Sequence, residues 1–164
     1  MKQFDLNRDN LKRINRLIPR YPTKRSCTLP LLHIIQEEQG YLSKPAIEWV
    51  AKKLDLPAIQ VLEVVTFYPM FRQEPIGKRH VKVCRTLSCA LHGSHETCRI
   101  LQKELNCDLN QTSSDGNFTL EFVECIASCG TAPVVHIDET MHHQISPEKA
   151  KGLAQRLKKE QGIF

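Results

Sequence analysis

The chain has 164 residues, 41% apolar and 25% charged, which suits one ordinary domain or two small ones and excludes disordered and fibrous classes. Its formal charge of +5 comes from scattered Lys and Arg without a polybasic block, so it reads as a solvated surface and no nucleic-acid partner is expected. No apolar run approaches the ~20 residues that span a bilayer, so no direct membrane insertion is expected.

Apolar residues Leu11, Ile14, Leu17 and Ile18 recur at helical spacing and predict a first helix over residues 7–18, ended by Pro19 and Pro22. A second starts near Leu29-Pro30, uses Leu31, Leu32, Ile34 and Ile35, and stops at Gly40. Ser43 reads as the N-cap of a third helix, with Pro45 just inside it and Ile47, Val50, Ala51 and Leu54 as its buried stripe. Pro57 opens a fourth helix carrying Ile59, Val61, Leu62, Val64 and Val65, which ends before Pro69. Phe71, Pro75 and Gly77 mark a linker, so the expected domains are a helical bundle over 1–76 and a second domain over 77–164.

From His80 the period changes to two, and His80 to Cys84 reads as a strand. A helix is expected over 94–105, with Cys98, Leu101 and Leu105 on one face. After the turn signal Asp115-Gly116 a strand is expected over 118–123, with Phe118, Leu120 and Phe122 on one face and Thr119, Glu121 and Val123 on the other. Strands over 133–137 and 141–145 form a hairpin about Asp138-Glu139. Ser146 then caps a closing helix that buries Ala150, Leu153, Ala154 and Leu157. The whole is α+β. If the first two of these strands are parallel neighbours joined by a right-handed helical crossover, their C-terminal ends share one edge. Cys84 and Cys125 then stand at the ends of the two strands, and the loops bearing Cys89 and Cys129 face each other.

The cysteines carry the chemistry. The first nine residues have no apolar segment and include two Asp, unlike a secretory signal or a transit peptide. A reducing compartment, most simply the cytoplasm, is therefore expected, where the seven cysteines are metal ligands or core residues before they are disulfides. Cys84-x4-Cys89 and Cys125-x3-Cys129, 35 residues apart, offer four thiolates in two pairs, the donor set of a [2Fe–2S] cluster with two ligands per iron. A structural zinc prefers Cys-x2-Cys knuckles, and both loops here are wider; zinc stays open as the alternative. A Rieske centre needs a His in each pair, and a thiol-redox enzyme needs Cys-x-x-Cys, which the chain lacks.

The spacing of Cys84, Cys89, Cys125 and Cys129 resembles that of the thioredoxin-like [2Fe–2S] subunit family of respiratory complex I, NADH-quinone oxidoreductase. Gln39-Gly40-Tyr41-Leu42, the run from Glu63 to Tyr68, Pro75-Ile76-Gly77, the run from Asp115 to Phe118, Glu124-Cys125 and Ala132-Pro133 match the family at corresponding places. One position departs: the family commonly has Gly two residues after its third cysteine, where this chain has Ala127. The resemblance implies a thioredoxin-like ferredoxin domain behind the helical bundle and one [2Fe–2S] cluster bound by the four cysteines. It implies a flavin- and NADH-binding partner subunit whose FMN exchanges single electrons with that cluster, and further iron–sulfur subunits. The implied location is a peripheral arm on the cytoplasmic side of the inner membrane. Related subunits serve NAD-linked hydrogenases and formate dehydrogenases. The chain itself has no G-x-G-x-x-G and no Walker-type loop, so nucleotide binding and catalysis are expected in the partner.

The other conspicuous residues have plainer readings. Cys27, Cys98 and Cys107 read as small core residues. His92 and His95 follow the first cysteine loop and read as surface residues, and Trp49 and Phe67-Tyr68 as core or subunit interface. Arg85, next to Cys84, is expected to raise the cluster's potential by stabilising its reduced, more negative state.

Overall fold

Capping side chains fix the helix boundaries in the first part of the chain. Asn7 accepts the N–H of Asn10 at 2.8 Å and opens α1, Arg8–Leu17. α2, Thr28–Gln39, ends at Gly40, whose φ of +80° is a left-handed cap that a residue without Cβ adopts freely. Ser43 accepts the N–H of Ala46 at 3.3 Å and opens α3, Lys44–Leu54. α4 follows as Ala58–Phe67. In the computed structural model, which describes residues 4–160, these helices lie in one of two units, Met1–Pro75 and Ile76–Phe164. Ile14, Leu31, Leu32, Ile35, Val50, Leu54 and Val61 are fully buried in its core.

The second unit is a five-stranded mixed sheet with helices packed on it, an α+β arrangement. Its strands are β1 (Arg79–Cys84), β2 (Gln111–Thr112), β3 (Phe118–Val123), β4 (Val135–Ile137) and β5 (Thr140–His142), in the order β2-β3-β1-β4-β5. β1 is parallel to β3 and antiparallel to β4, and the β4–β5 hairpin is antiparallel. A parallel pair needs a long crossover. Here it carries α5 (Leu87–Leu91) and α6 (Ser94–Leu105). α7, Pro147–Glu160, packs against α6, and α6 against β1 and β3. Val81, Val83, Leu120, Val135 and Ile137 of the sheet meet Cys98, Leu101, Leu105, Ala150, Leu153 and Leu157 of the two helices in the core.

Several local expectations are corrected. α5 and β2 are additional to the predicted elements: one is five residues long and the other two, too short to show a period. The hairpin strands are shorter than expected and end at Ile137 and His142. Of the apolar residues that the fourth helix carries, Val61 and Val65 are buried, whereas Ile59 is 60% exposed. Phe71 belongs to the helical core rather than to a linker. Gly77 is a close-approach glycine: a Cβ there would stand 2.7 Å from the carbonyl carbon and 2.8 Å from the nitrogen of Phe118. The two faces of β3 are not cleanly split either. Thr119 is buried, accepting the Gly77 N–H at 2.7 Å and sharing a 2.8 Å hydrogen bond with Thr112 Oγ1.

Candidate metal centre

The parallel register pairs Cys84 with Val123, so β1 and β3 leave the sheet at one edge. Cys84 is the last residue of β1, while Cys125 lies two residues beyond the end of β3 rather than in it. After Cys84 the chain turns into α5, which carries Cys89; after Cys125 it turns into a short 3-10 segment, Cys129–Thr131. The Cys84 N–H donates to Val134 O at 3.2 Å and the Arg85 N–H to Val123 O at 3.0 Å, which stitches the start of the first loop to both neighbouring strands. Two side-chain links run from the first loop to the second. Ser88 Oγ donates to Cys129 O at 3.0 Å, and Arg85 Nε donates to Glu124 Oε1 at 2.9 Å. A second guanidinium nitrogen of Arg85 donates to that same carboxylate oxygen. His143 completes the brace, with Nδ1 2.8 Å from Thr131 Oγ1 and 3.3 Å from Ser128 Oγ.

The four sulfurs are close enough to govern one another's ionisation. Cys84 and Cys89 are buried beside Val134, with Ile126 and Ala132 packed against them, whereas Cys125 and Cys129 are exposed, with sulfurs 3.7 Å apart. Burial pushes Cys89 up to about 11, helped by the neighbouring charges of Cys84 and Cys129. Burial is the largest influence on Cys84 and opposes its ionisation, but hydrogen bonds from the Thr86 hydroxyl and N–H, from Cys89 and from the Ile126 backbone together outweigh it and carry that thiol below the ordinary range. The N–H of Ala127, donated to Cys125 Sγ at 3.4 Å, lowers Cys125, with Cys129 adding to the effect. Cys129 is raised by its hydrogen bond to Cys125 and by that residue's charge. In each pair one thiol is shifted towards thiolate at the expense of the other. Four thiolates so close repel, and cationic iron relieves that repulsion.

Among the described residues, no group of three or more His, Cys, Asp or Glu side chains is placed so that it could hold a single metal ion. The sulfurs form two pairs, and two thiolates per iron is the demand of a binuclear cluster. The donor set therefore fits that group. Ala127 has a φ of +58°, in the left-handed region where a Cβ is disfavoured. That backbone aims its N–H at Cys125 Sγ in a conformation that a residue without a Cβ adopts more freely.

The remaining cysteines stand apart from the four. Cys98 lies in the α6 face of the core, where burial pushes it up to about 11. Cys107 donates to Gln111 O at 3.2 Å and Phe118 O at 3.5 Å, and Cys27 to Ile18 O and Thr23 O; burial raises both. His92 Nδ1 lies 2.8 Å from Ser88 O, and the His95 ring packs on Phe122. Thr86, Ser88, Glu124 and His143 have no role that the sequence alone predicts. Thr86 and Ser88 lie inside the first Cys-x4-Cys loop and Glu124 precedes a cysteine, which was the available signal; His143 becomes a neighbour only through the hairpin.

Comparison with known proteins agrees with this geometry. An NADH-quinone oxidoreductase subunit of Rickettsia felis is 40% identical over 153 residues, 92% of each chain. The corresponding protein of Rickettsia conorii is 38% identical over 160 residues, 96% of each. Among solved structures, an NAD+-reducing [NiFe]-hydrogenase in the air-oxidized state superposes with a TM-score of 0.69 over 82% of this chain and 23% of that one; at 16% identity this shows shared fold alone. The family model of the thioredoxin-like [2Fe–2S] ferredoxins matches residues 14–158, a span that contains both cysteine pairs and every strand of the sheet. With four thiols in two facing pairs at one sheet edge, and that match over most of its length, the chain belongs to the thioredoxin-like [2Fe–2S] ferredoxin family.

Proposed function

We propose that Cys84, Cys89, Cys125 and Cys129 hold one [2Fe–2S] cluster, and that this chain is an electron-transfer subunit of an NADH-quinone oxidoreductase. The cluster, when bound, supplies a one-electron carrier that exchanges single electrons with the FMN of a partner subunit that binds NADH. The observation that carries the reading is the convergence of two thiol pairs at one edge of the β1–β3 pair, in a chain 40% identical to a subunit of such an oxidoreductase over 92% of both lengths.

The chain's own residues then have defined tasks. Thr86 and the Ala127 N–H hydrogen-bond the sulfurs of Cys84 and Cys125 and favour their thiolate forms. Val134, Ile126 and Ala132 exclude water from Cys84 and Cys89. Cys125 and Cys129 lie at the surface, on the side from which a partner's electron can arrive. In this reading residues 1–76 are an N-terminal helical domain and 77–164 the ferredoxin domain. The flavin- and NADH-binding subunit and further iron–sulfur subunits are its partners in a peripheral arm on the cytoplasmic side of the inner membrane. No helix among the described residues is long and apolar enough to cross a membrane.

Purified full-length chain tests the assignment. Reddish-brown protein with two irons per chain and one rhombic EPR signal on reduction supports it; colourless protein with one zinc per chain overturns it. Affinity purification from native membranes then reads the context, since co-purifying quinone-site subunits support the oxidoreductase assignment and co-purifying hydrogenase subunits overturn it.

A further inference from the structure

Arg85 follows one proposed ligand and Glu124 precedes another, and the two residues, 39 apart in sequence, are ion-paired. Two guanidinium nitrogens of Arg85 converge on one oxygen of Glu124. The pair thus crosses from the segment after β1 to the segment after β3, on the strand side of the site, while Ser88 Oγ to Cys129 O makes the other crossing. Both partners are solvent-accessible, 53% and 70% exposed at their side chains. An exposed pair of this kind contributes little to stability. Its position matters more than its strength, because it sets a fixed positive and a fixed negative charge beside a centre whose own charge changes by one unit on reduction.

We propose that the Arg85–Glu124 pair is a charge-balanced positioning element that keeps either charge alone from shifting the electron affinity of the proposed cluster, each residue cancelling the field of the other. The inference rests on the cluster reading above. Reduction adds one electron and makes the centre more negative, so a neighbouring positive charge favours the reduced state and a neighbouring negative charge opposes it. With both charges present and bonded, their fields at the centre largely offset. Arg85 alone would raise the potential, but the fold brings Glu124 to it. Removing one member leaves the other unbalanced. The two single substitutions must therefore act in opposite directions. A purely mechanical role for the pair would shift both variants in the same direction.

The test is a redox titration of the cluster-loaded full-length chain, followed by EPR, for the wild type, Arg85→Gln, Glu124→Gln and the double variant. A wild-type chain without a [2Fe–2S] signal sinks the cluster reading itself, separately from this inference. With the signal present, Glu124→Gln should raise the midpoint potential, Arg85→Gln should lower it, and the double variant should return close to the wild type. Both single shifts should shrink as salt is raised, because the charges are exposed and screening shortens their reach. Arg85→Lys, which keeps the charge but loses the fork of donors, should stay near the wild-type potential; if Arg85→Gln fails to retain the cluster, an upward shift in Glu124→Gln that shrinks with salt supports the proposal and no shift or a downward one overturns it. Shifts of the same sign in both single variants, or no shift in either, overturn the proposal.

Discussion

Ala127→Gly is the substitution whose effect follows most directly from the backbone. Ala127 sits at φ +58° in the second cysteine loop, exposed, with its N–H given to Cys125 Sγ at 3.4 Å. For an L residue with a Cβ, the left-handed conformation costs roughly 1–2 kcal/mol. Glycine removes that strain, but it also makes the unfolded chain freer, which returns about 0.4–1 kcal/mol. Because the methyl group is exposed, little burial is lost. The balance is a stabilisation of about 0.5–1 kcal/mol, which raises the midpoint of thermal unfolding by about 1–4 °C for a chain of this size. Thermal melts of the iron-loaded chain, followed by circular dichroism and by loss of visible absorbance, measure it. Ala127→Val is the control: a β-branched side chain at positive φ should lower the midpoint by more than glycine raises it. The hydrogen bond to Cys125 survives both changes, since each residue keeps its N–H. A lower midpoint for Ala127→Gly than for the wild type would refute the argument, showing that the methyl group is packed or that the loop is not left-handed there.

Other outcomes follow from the same structure. Gly77→Ala should destabilise the chain by about 1–3 kcal/mol, because the added Cβ meets backbone atoms of Phe118 that cannot turn aside; guanidinium melts read the loss. Ser88→Ala removes the hydroxyl that ties α5 to Cys129 O, worth about 0.5–1.5 kcal/mol, and should speed release of iron to a chelator several-fold. Substituting Cys84, Cys89, Cys125 or Cys129 by Ser should lower iron content or change the EPR signal, whereas Cys27, Cys98 and Cys107 should be replaceable one at a time without loss of iron; full retention of the cluster in Cys125→Ala would refute the ligand set. Cys98, pushed up to about 11 by burial, should have about one thiolate in a thousand at pH 8, so its alkylation by iodoacetamide, read by mass spectrometry, should be slow there and rise about tenfold per pH unit up to about 11.

The helical half of the fold is legible because its signals are local. Asn7, Gly40, Ser43 and Pro57 mark helix ends through chemistry confined to one turn, and the boundaries fall within a residue or two of the expected ones. Which residues those helices bury is less legible. Val61 and Ile59 are equally apolar and only two positions apart, yet one is fully buried and the other 60% exposed, because the direction of the core is a tertiary fact. The long connection between β1 and β3 permits their parallel pairing but does not dictate it, since β1 pairs antiparallel with β4 across a longer one. α5 and β2 escape because five and two residues are shorter than any period that could announce them.

At the proposed metal centre the four thiols are legible and the groups that control them are not. Cysteine spacing singles out four thiols as candidates because they fall in two pairs, with zinc as the competing reading. The groups that set their charge state are ordinary residues, Thr86 inside one loop and the Ala127 backbone inside the other, and a hydroxyl or an N–H has no spacing signature. Arg85 shows the limit best. Read along the chain, it is a lone positive charge beside a proposed ligand, and from that charge alone a raised potential is expected. The partner that offsets it lies 39 residues away, and the parallel register that matches Cys84 to Val123 brings Glu124 alongside. Position in sequence gives the sign of one charge; only the pairing of β1 with β3 brings up the opposite charge that offsets it.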